Sequence, residues 1–125
     1  MEELTIKNSK KVGAHYSAGI VDSKATVYVS GQLPINPITR EKCEGGVYEQ
    51  TLMALENIES VLKEKNGSRK DILRTTAYVS DMDYWEDVNK AYSDFFDEKK
   101  PARTIVCVPA IHFNLLVEIE AIAEI

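Results

Sequence analysis

The stretch PARTIVCVPAIHFNLLVEIEAIA, residues 101–123, decides the fold. Its first half contains a β-branched run, 104–108, that predicts a strand. Its second half, 117–123, predicts another strand. Because side chains alternate along a strand, Glu118 and Glu120 share one of its faces. Strands joined by a short loop usually pair antiparallel, so we expect these two to be neighbours in a sheet.

Arg103 stands at the start of the first of these strands. A guanidinium group presents a planar fork that suits a carboxylate ligand, and Glu118 can hold a water molecule or a proton. Pairing of the two strands would bring Arg103 and Glu118 to one end of the sheet if the register allows it, and the sequence does not fix the register. Two interpretations stay open, a structural ion pair or part of a functional site.

The composition is that of an ordinary globular protein. The chain has 125 residues, of which 44% are hydrophobic, so we expect a single domain over residues 1–125. Its net charge of −5 disfavours a general electrostatic grip on nucleic acid or on an anionic membrane. We find neither a secretory signal nor an apolar run of membrane-spanning length, and we expect a cytoplasmic protein.

The sequence also disfavours several classes of chemistry. Cys43 and Cys107 are too few for a disulfide framework, so we expect free thiols, with Cys107 as a small core residue. No dinucleotide-binding fingerprint, P-loop, HExxH or GxSxG motif occurs. His15 and His112 have no metal-ligand spacing around them. Redox, phosphoryl-transfer and zinc chemistry are therefore not expected.

Apolar residues at helical spacing predict two helices, 47–65 and 84–96. Asn66-Gly67 predicts a left-handed stop for the first helix. Asp83 and Glu86 are spaced like a capping box at the start of the second. The aromatic residues of the second helix, Trp85, Tyr92, Phe95 and Phe96, are expected in the core.

Strands are predicted at 3–6, 16–21, 25–30, 71–80, 104–108 and 117–123, and loops at 7–13 and 31–46. The element order is then βββ–α–β–α–ββ. Two helices cover only one face of a single sheet, yet the last two strands carry apolar residues on both faces. Such a second face is large for a monomer to expose. We therefore expect other subunits to bury it in a homo-oligomer.

Six blocks of sequence, in order along nearly the whole chain, carry a resemblance to a known family. They are SGQLPINP at 30–37, QTLMALENIESVL at 50–62, TTAYVSDM at 75–82, VNKAYSDFF at 88–96, PART at 101–104 and VEIEAIA at 117–123. With these blocks the chain resembles the Rid family, also called YjgF/YER057c/UK114, of reactive-intermediate imine deaminases.

The resemblance implies an α+β fold similar to chorismate mutase of the bacillus type, a mixed β-sheet with two helices packed on one face. It implies a homotrimer with clefts between subunits. It also implies hydrolysis of 2-iminobutanoate and 2-iminopropanoate to 2-oxo acids and ammonia, with no cofactor and no metal. The implied ligand is thus a small 2-imino or 2-oxo acid.

The resemblance also suggests roles for five residues. Arg103 matches the arginine that grips the substrate carboxylate, and Glu118 matches the glutamate that positions the attacking water. Tyr16, Ser30 and Asn89 match further residues of the substrate site. Each also has a structural interpretation: an ion pair for Arg103 or Glu118, a cleft-wall or interface hydrogen bond for Tyr16 or Ser30, and a helix–loop contact for Asn89.

Two segments depart from the family pattern. AHYSAG at 14–19 replaces GPYSQA, and IHFNLL at 111–116 lacks the usual Pro and Gly. The two histidines lie in these segments. One hypothesis is that His15 and His112 flank the cleft and make activity sensitive near neutral pH; the alternative is two solvated loop histidines.

Three functions compete. The first is a cofactor-independent imine deaminase, and Glu118 favours it. The second is a trimeric module that binds 2-oxo acids without turnover, and the two altered segments favour it. The third is RNA cleavage, which the acidic charge and the lack of a basic stripe with interleaved aromatic residues disfavour.

Overall fold

The computed structural model describes residues 1–10 and 12–125, so the predicted loop 7–13 is described except for Lys11. The elements are β1 (Glu2–Leu4), β2 (Gly19–Val21), β3 (Thr26–Gln32), α1 (Val47–Lys63), β4 (Ile72–Val79), α2 (Trp85–Phe95), β5 (Ala102–Cys107) and β6 (Val117–Glu124). The strands form one mixed sheet in the order β1-β2-β3-β6-β4-β5. The predicted α+β class, with two helices on one face of a mixed sheet, is confirmed.

The apolar stripe that predicted helix α1 faces the core in the structure. The six positions that predicted it are all buried; they are Val47, Ala54, Leu55, Ile58, Val61 and Leu62. The stop at Asn66-Gly67 is confirmed, since Asn66 has a φ of 62° and the Gly67 N–H donates to the Leu62 carbonyl at 2.9 Å. The long apolar side of α1 lies on the sheet and anchors the core.

Helix α2 begins differently from the prediction. The Asp81 carboxylate accepts a hydrogen bond from the Asp83 N–H at 2.8 Å, so a 3₁₀ turn, Met82–Tyr84, precedes the helix. The predicted Asp83–Glu86 box is therefore not the cap. Tyr92, Phe95 and Phe96 are buried as expected, but Trp85 is 44% exposed, and its expected place in the core is wrong.

The expected pairing of the last two strands is also wrong. Strand β4 lies between them, pairing parallel with β5 and antiparallel with β6. The reason is the α2 crossover, because a helix between two strands favours parallel pairing of those strands. Strand β5 is left at the edge of the sheet. Cys107, at its end, is consequently exposed and not a core residue.

The strand bounds differ from the prediction by two or three residues at four strand ends and by one residue at others. Strand β1 ends at Leu4, β2 begins only at Gly19, β3 continues through Gln32 into the predicted 31–46 loop, and β5 begins at Ala102. That loop contains one isolated bridge, Ile35 to Lys42. The extension of β3 has a consequence for the site, because it places Gly31 within the sheet.

The second face of the sheet is open in the single chain. Tyr28 and Val106 are 48% and 36% exposed; register places Tyr28 on β3 opposite Ile122 on β6, and Val106 on β5 opposite Tyr78 on β4. Large apolar side chains on a flat sheet face are typical of a surface that another molecule covers. Burial of this open face by other subunits stays a prediction.

The Glu59 carboxylate is the centre of a set of hydrogen bonds on the helical side of the sheet. Glu59 of α1 accepts hydrogen bonds from Arg69 Nε at 2.9 Å, Arg69 Nη2 at 2.7 Å and the Arg69 N–H at 2.8 Å. Arg69 also donates to the Phe95 carbonyl and lies 3.7 Å from the Phe95 ring centre. The Arg69 guanidinium lowers the pKa of Glu59. This bond set joins α1, the turn before β4 and the end of α2.

We predict that Glu59→Gln lowers the free energy of unfolding at pH 7 by about 2 kcal/mol, with allowance for the partial exposure of Arg69. A carboxyl with a lowered folded-state pKa stabilises above its ordinary value of 4.5 and loses that effect as pH falls through the folded-state pKa. The deficit should therefore shrink in acid. Urea unfolding at several pH values, at fixed protein concentration, measures it.

The matched control is Lys65→Ala, which breaks the exposed Lys65–Glu2 pair of 2.7 Å. Its expected cost is at most about 1 kcal/mol. Equal losses in the two variants would contradict the role given to Glu59.

Candidate functional site

Arg103 lies on the helical face of edge strand β5. Register pairs it with Thr75 of β4, which points under α2. Its Nη2 donates to Asn89 Oδ1 at 2.7 Å, and its Cζ lies 4.7 Å from the centre of the Tyr92 ring. The predicted residues Arg103 and Asn89 are thus brought together.

Buried contacts support this arginine. The Tyr92 hydroxyl lies 2.8 Å from Thr75 Oγ1, and Tyr92 is 8% exposed. Burial raises the pKa of Tyr92 to about 12, against the lowering effects of the Thr75 hydrogen bond and the Arg103 charge. Tyr92 is neutral at physiological pH, so it offers Arg103 an aromatic face.

Glu118 lies on the open face, where β6 meets the turn before it. It lines a cleft of about 400 Å³. Its lining includes Gly31, Tyr78, Val108, His112, Glu118 and Glu120. Glu118 and Glu120 share one face of β6 as predicted, since the residues between and beside them are buried.

Partial burial raises the pKa of Glu118, the Glu120 charge raises it further, and His112 opposes both. Burial and then the Glu120 charge also raise the pKa of Tyr78. A carboxylate with a raised pKa is a better proton acceptor near neutral pH than an ordinary one. This group therefore has the chemistry of a general base, with His112 beside it.

Gly31 leaves space for the Glu118 carboxylate. A Cβ at position 31 would lie 2.8 Å from Glu118 Oε2, which is closer than side-chain contacts allow. The β3–β6 register shifts between Val29 and Gln32, so Gly31 sits in an irregular part of the sheet. A larger residue here would displace the Glu118 carboxylate from its present position.

The turn before β6 has an unusual backbone. Phe113 and Asn114 have φ values of 61° and 58°. Asparagine tolerates this left-handed region, but a bulky aromatic residue does so at a cost of about 1 kcal/mol or more. Lys42 Nζ donates to the Phe113 carbonyl at 3.3 Å and lies 5.5 Å from its ring centre. The turn is thus tied to the loop after β3.

The remaining predicted residues lie before β2 and at the end of β3. The Ser30 hydroxyl donates to the Ser17 carbonyl at 2.6 Å, so it fixes the segment that carries Tyr16. Tyr16 is 71% exposed, and His15 is exposed beside it. Ser30 is the neighbour of Gly31, but within the described residues neither Tyr16 nor His15 forms a hydrogen bond with Glu118 or lines its cleft.

Arg103 and Glu118 do not come together in one chain. Arg103 is level with Thr75 on β4, whereas Glu118 is level with Tyr78, and these two β4 positions lie on opposite faces. The two side chains are separated by two strand spacings, about 10 Å, and by three residues, about 10 Å, along the strand. A direct Arg103–Glu118 ion pair within the chain is therefore excluded.

Sequence analysis missed Gly31 and Tyr78, which line the Glu118 cleft, and Trp85, whose ring centre lies 5.6 Å from Arg103 Cζ. Gly31 could have been found, because it is a glycine at the end of a clearly predicted strand. Tyr78 had only its alternation with buried neighbours on β4. Trp85 had no signal that separated it from the core aromatic residues of α2, because helical spacing does not show where a helix begins.

Among residues 1–10 and 12–125, no cluster of three His, Cys, Asp or Glu side chains is placed to hold a metal ion. Within the same residues, no helix has the length and apolar character to span a membrane.

Comparisons with known proteins agree with this fold. A model of the family described as endoribonuclease L-PSP matches residues 6–125. A RutC family protein of Pyrococcus abyssi is 38% identical over 120 residues, which are 96% of this chain and 93% of that protein. A rat protein named 2-iminobutanoate/2-iminopropanoate deaminase is 34% identical over 95% of this chain and 85% of its own length.

A solved structure with the same fold is RidA from an Antarctic Psychrobacter bacterium. It is 29% identical to this chain, covers all of both chains and has a TM-score of 0.90. The similarity therefore extends over the whole sheet and both helices.

We predict that Glu118→Gln stabilises the protein at pH 7. A carboxyl whose folded-state pKa is raised opposes folding when it is ionised, and this penalty disappears as pH falls below its ordinary value of 4.5. The melting temperature should therefore rise in the variant at pH 7 and match that of the wild type in acid.

Asp22→Asn is the contrasting control. The Thr26 N–H, then the Lys24 N–H, lower the pKa of Asp22. Its loss should destabilise at pH 7, with the opposite sign. A Glu118→Gln variant that is less stable than wild type at pH 7 would contradict the prediction.

Proposed function

The chain belongs to the endoribonuclease L-PSP family, which also contains RidA, and we propose that it hydrolyses 2-imino acids to 2-oxo acids and ammonia. The observation that carries this proposal is the Arg103 guanidinium. Within the described residues, Arg103 donates one hydrogen bond, to Asn89. Most of the five N–H donors of Arg103 therefore remain for a ligand. A free planar fork of donors suits a small carboxylate. The rat relative's name supplies the reaction class.

The reaction needs little from the protein. An imine is already electrophilic, so the site has to orient it, exclude bulk water and hold one water molecule. The water oxygen attacks C2, the C=N electron pair moves to nitrogen, and Glu118 takes one water proton. Glu118 returns that proton to the nitrogen to give the carbinolamine. It then carries the hydroxyl proton to the same nitrogen as the carbonyl forms and the C–N bond breaks, and ammonia leaves. A carboxyl with a raised pKa suits both proton transfers.

Two protomers would supply this site. Because Arg103 and Glu118 lie on opposite faces of one sheet, a site that contains both needs Arg103 of one chain and Glu118 of another. The open face, with exposed Tyr28 and Val106, gives a second protomer an apolar surface to cover. We infer a homotrimer in which each β5 edge lies beside the open face of the next protomer. Closed rings of this kind use heterologous interfaces.

We predict that Arg103→Ala lowers kcat/KM for 2-iminobutanoate by about 100-fold or more, through loss of charged hydrogen bonds to the carboxylate. Glu118→Gln should lower kcat by about 100-fold or more, through loss of the general base. Competition with semicarbazide for an enzymatically generated imine measures both.

Arg40→Ala is the matched control for charge, since Arg40 is exposed in the loop after β3. It should behave as wild type. Full activity in Arg103→Ala would refute the carboxylate clamp.

A second prediction tests the shared site. Arg103→Ala and Glu118→Ala chains, each inactive alone, should regain about a quarter of the wild-type activity when refolded together in equal amounts, because one site in four then receives both intact side chains. The activity of the two variants mixed without refolding gives the baseline for this comparison. Absence of any gain, with mixed trimers demonstrated by mass spectrometry, would refute a site shared between Arg103 of one chain and Glu118 of another.

The alternative function is a trimeric module that binds 2-oxo acids without turnover. The left-handed Phe113 in the altered 111–116 segment favours it, because this turn lines the Glu118 cleft and differs from the family pattern. A wild-type protein that is inert toward small and large imines, yet is stabilised against heat by 2-oxobutanoate, would support this alternative. RNA cleavage, named in the family's description, is disfavoured by the net charge of −5.

A further inference from the structure

The exposed indole of Trp85 lies beside the arginine that is free to bind a carboxylate. Trp85 is the first residue of α2, 44% exposed, and its ring centre is 5.6 Å from Arg103 Cζ. Tyr92 lies 4.7 Å from the same carbon, but Tyr92 is buried and bonded to Thr75. Of the two aromatic rings at Arg103, Trp85 is the one with surface left for a ligand.

The local chain holds this indole out of the core. Asp81 caps the 3₁₀ turn at Met82–Tyr84, and that turn sets the direction in which Trp85 leaves the helix start. Met82, one turn earlier, is 48% exposed. Two large apolar side chains three residues apart on a helical turn lie on the same side of it. An adaptable methionine next to a flat indole suits contact with aliphatic groups.

A ligand on Arg103 reaches this surface. Bidentate N–H···O bonds of about 2.8 Å hold a carboxylate in the plane of the guanidinium. The α carbon of a 2-imino acid is bonded directly to that carboxylate, so a side chain directed toward α2 can contact the Trp85 ring, whose centre lies 5.6 Å from Cζ. Apolar contact favours each buried CH₂ group by up to about fourfold in affinity.

We propose that Trp85 is the wall that contacts the substrate side chain, and that the site prefers 2-imino acids with branched aliphatic side chains over 2-iminopropanoate. The inference depends on the proposed function only in taking the ligand of Arg103 to be a 2-imino acid. Because Trp85 is 44% exposed, its contact with the substrate side chain is only partial. The expected preference for 2-imino-4-methylpentanoate over 2-iminopropanoate is therefore about tenfold in kcat/KM.

Turnover of the two imines by wild type and Trp85→Ala is the first test. The variant should lose most of the tenfold preference, with the larger fall for the branched substrate. Trp85→Leu, which keeps an apolar side chain, should retain part of it. Ile38→Ala, which removes an exposed apolar side chain from the loop after β3, is the control and should keep the wild-type ratio.

The second test does not need turnover. Trp85 is the single tryptophan of the chain, so its fluorescence reports a ligand that approaches it. Titration of wild type with 2-oxobutanoate and 4-methyl-2-oxopentanoate should change the emission, with tighter binding of the branched acid. Arg103→Ala should abolish the response.

The outcomes separate the two proposals. Side-chain-dependent fluorescence titrations without imine turnover would refute the deaminase and leave the Trp85 wall standing. Turnover with equal kcat/KM for both imines, or a preference unchanged in Trp85→Ala, would overturn the wall and leave the deaminase. Failure of both ligands to bind or react would overturn both.

Discussion

The alternation of side chains across three adjacent strands is the constraint on which the rest of this structure depends. Strand β4 lies between β5 and β6, and from Arg74 onward its odd and even residues point to opposite faces of the sheet. Register then assigns Arg103 to the helical face and Glu118 to the open face. A carboxylate clamp and a general base on opposite faces of one sheet cannot serve one ligand. The chemistry proposed here therefore requires a second copy of the chain.

Two carboxylates show how the fold separates stability from function. Glu59 is buried and has hydrogen bonds from Arg69 to both oxygens, and its pKa is lowered. Glu118 is only partly buried and has no such partner; burial and the Glu120 charge raise its pKa. The first arrangement favours the ionised form and stabilises the fold. The second stores an unfavourable charge at a cleft, as is typical of groups that exchange protons.

Local backbone features around Glu118 follow the same logic. Gly31 provides the space that its carboxylate occupies, and Phe113 holds a left-handed conformation in the turn that lines the cleft. Each feature weakens the local structure, because glycine has no side chain to pack and an aromatic residue in the left-handed region is strained. Lys42 stabilises the turn through the Phe113 carbonyl. Compensated strain of this kind clusters at functional sites in folded proteins.

The sequence by itself determined the elements that depend on short-range periodicity. Helix α1 with its Asn66-Gly67 stop, the alternation along β3, and the common face of Glu118 and Glu120 were all predictable, because each is set by residues a few positions apart. The family blocks, which run along most of the chain, also identified the fold. Arg103 and Glu118 were found as candidates by residue type and context.

Only the tertiary structure decided how these elements meet. The insertion of β4 between β5 and β6 depends on the α2 crossover and on pairings between distant parts of the chain, which no local pattern encodes. The same long-range packing exposes Trp85 and Cys107, raises the pKa of Glu118 and fits Gly31 against it. Periodicity tells which residues of a strand share a face; strand order and register tell what each face meets.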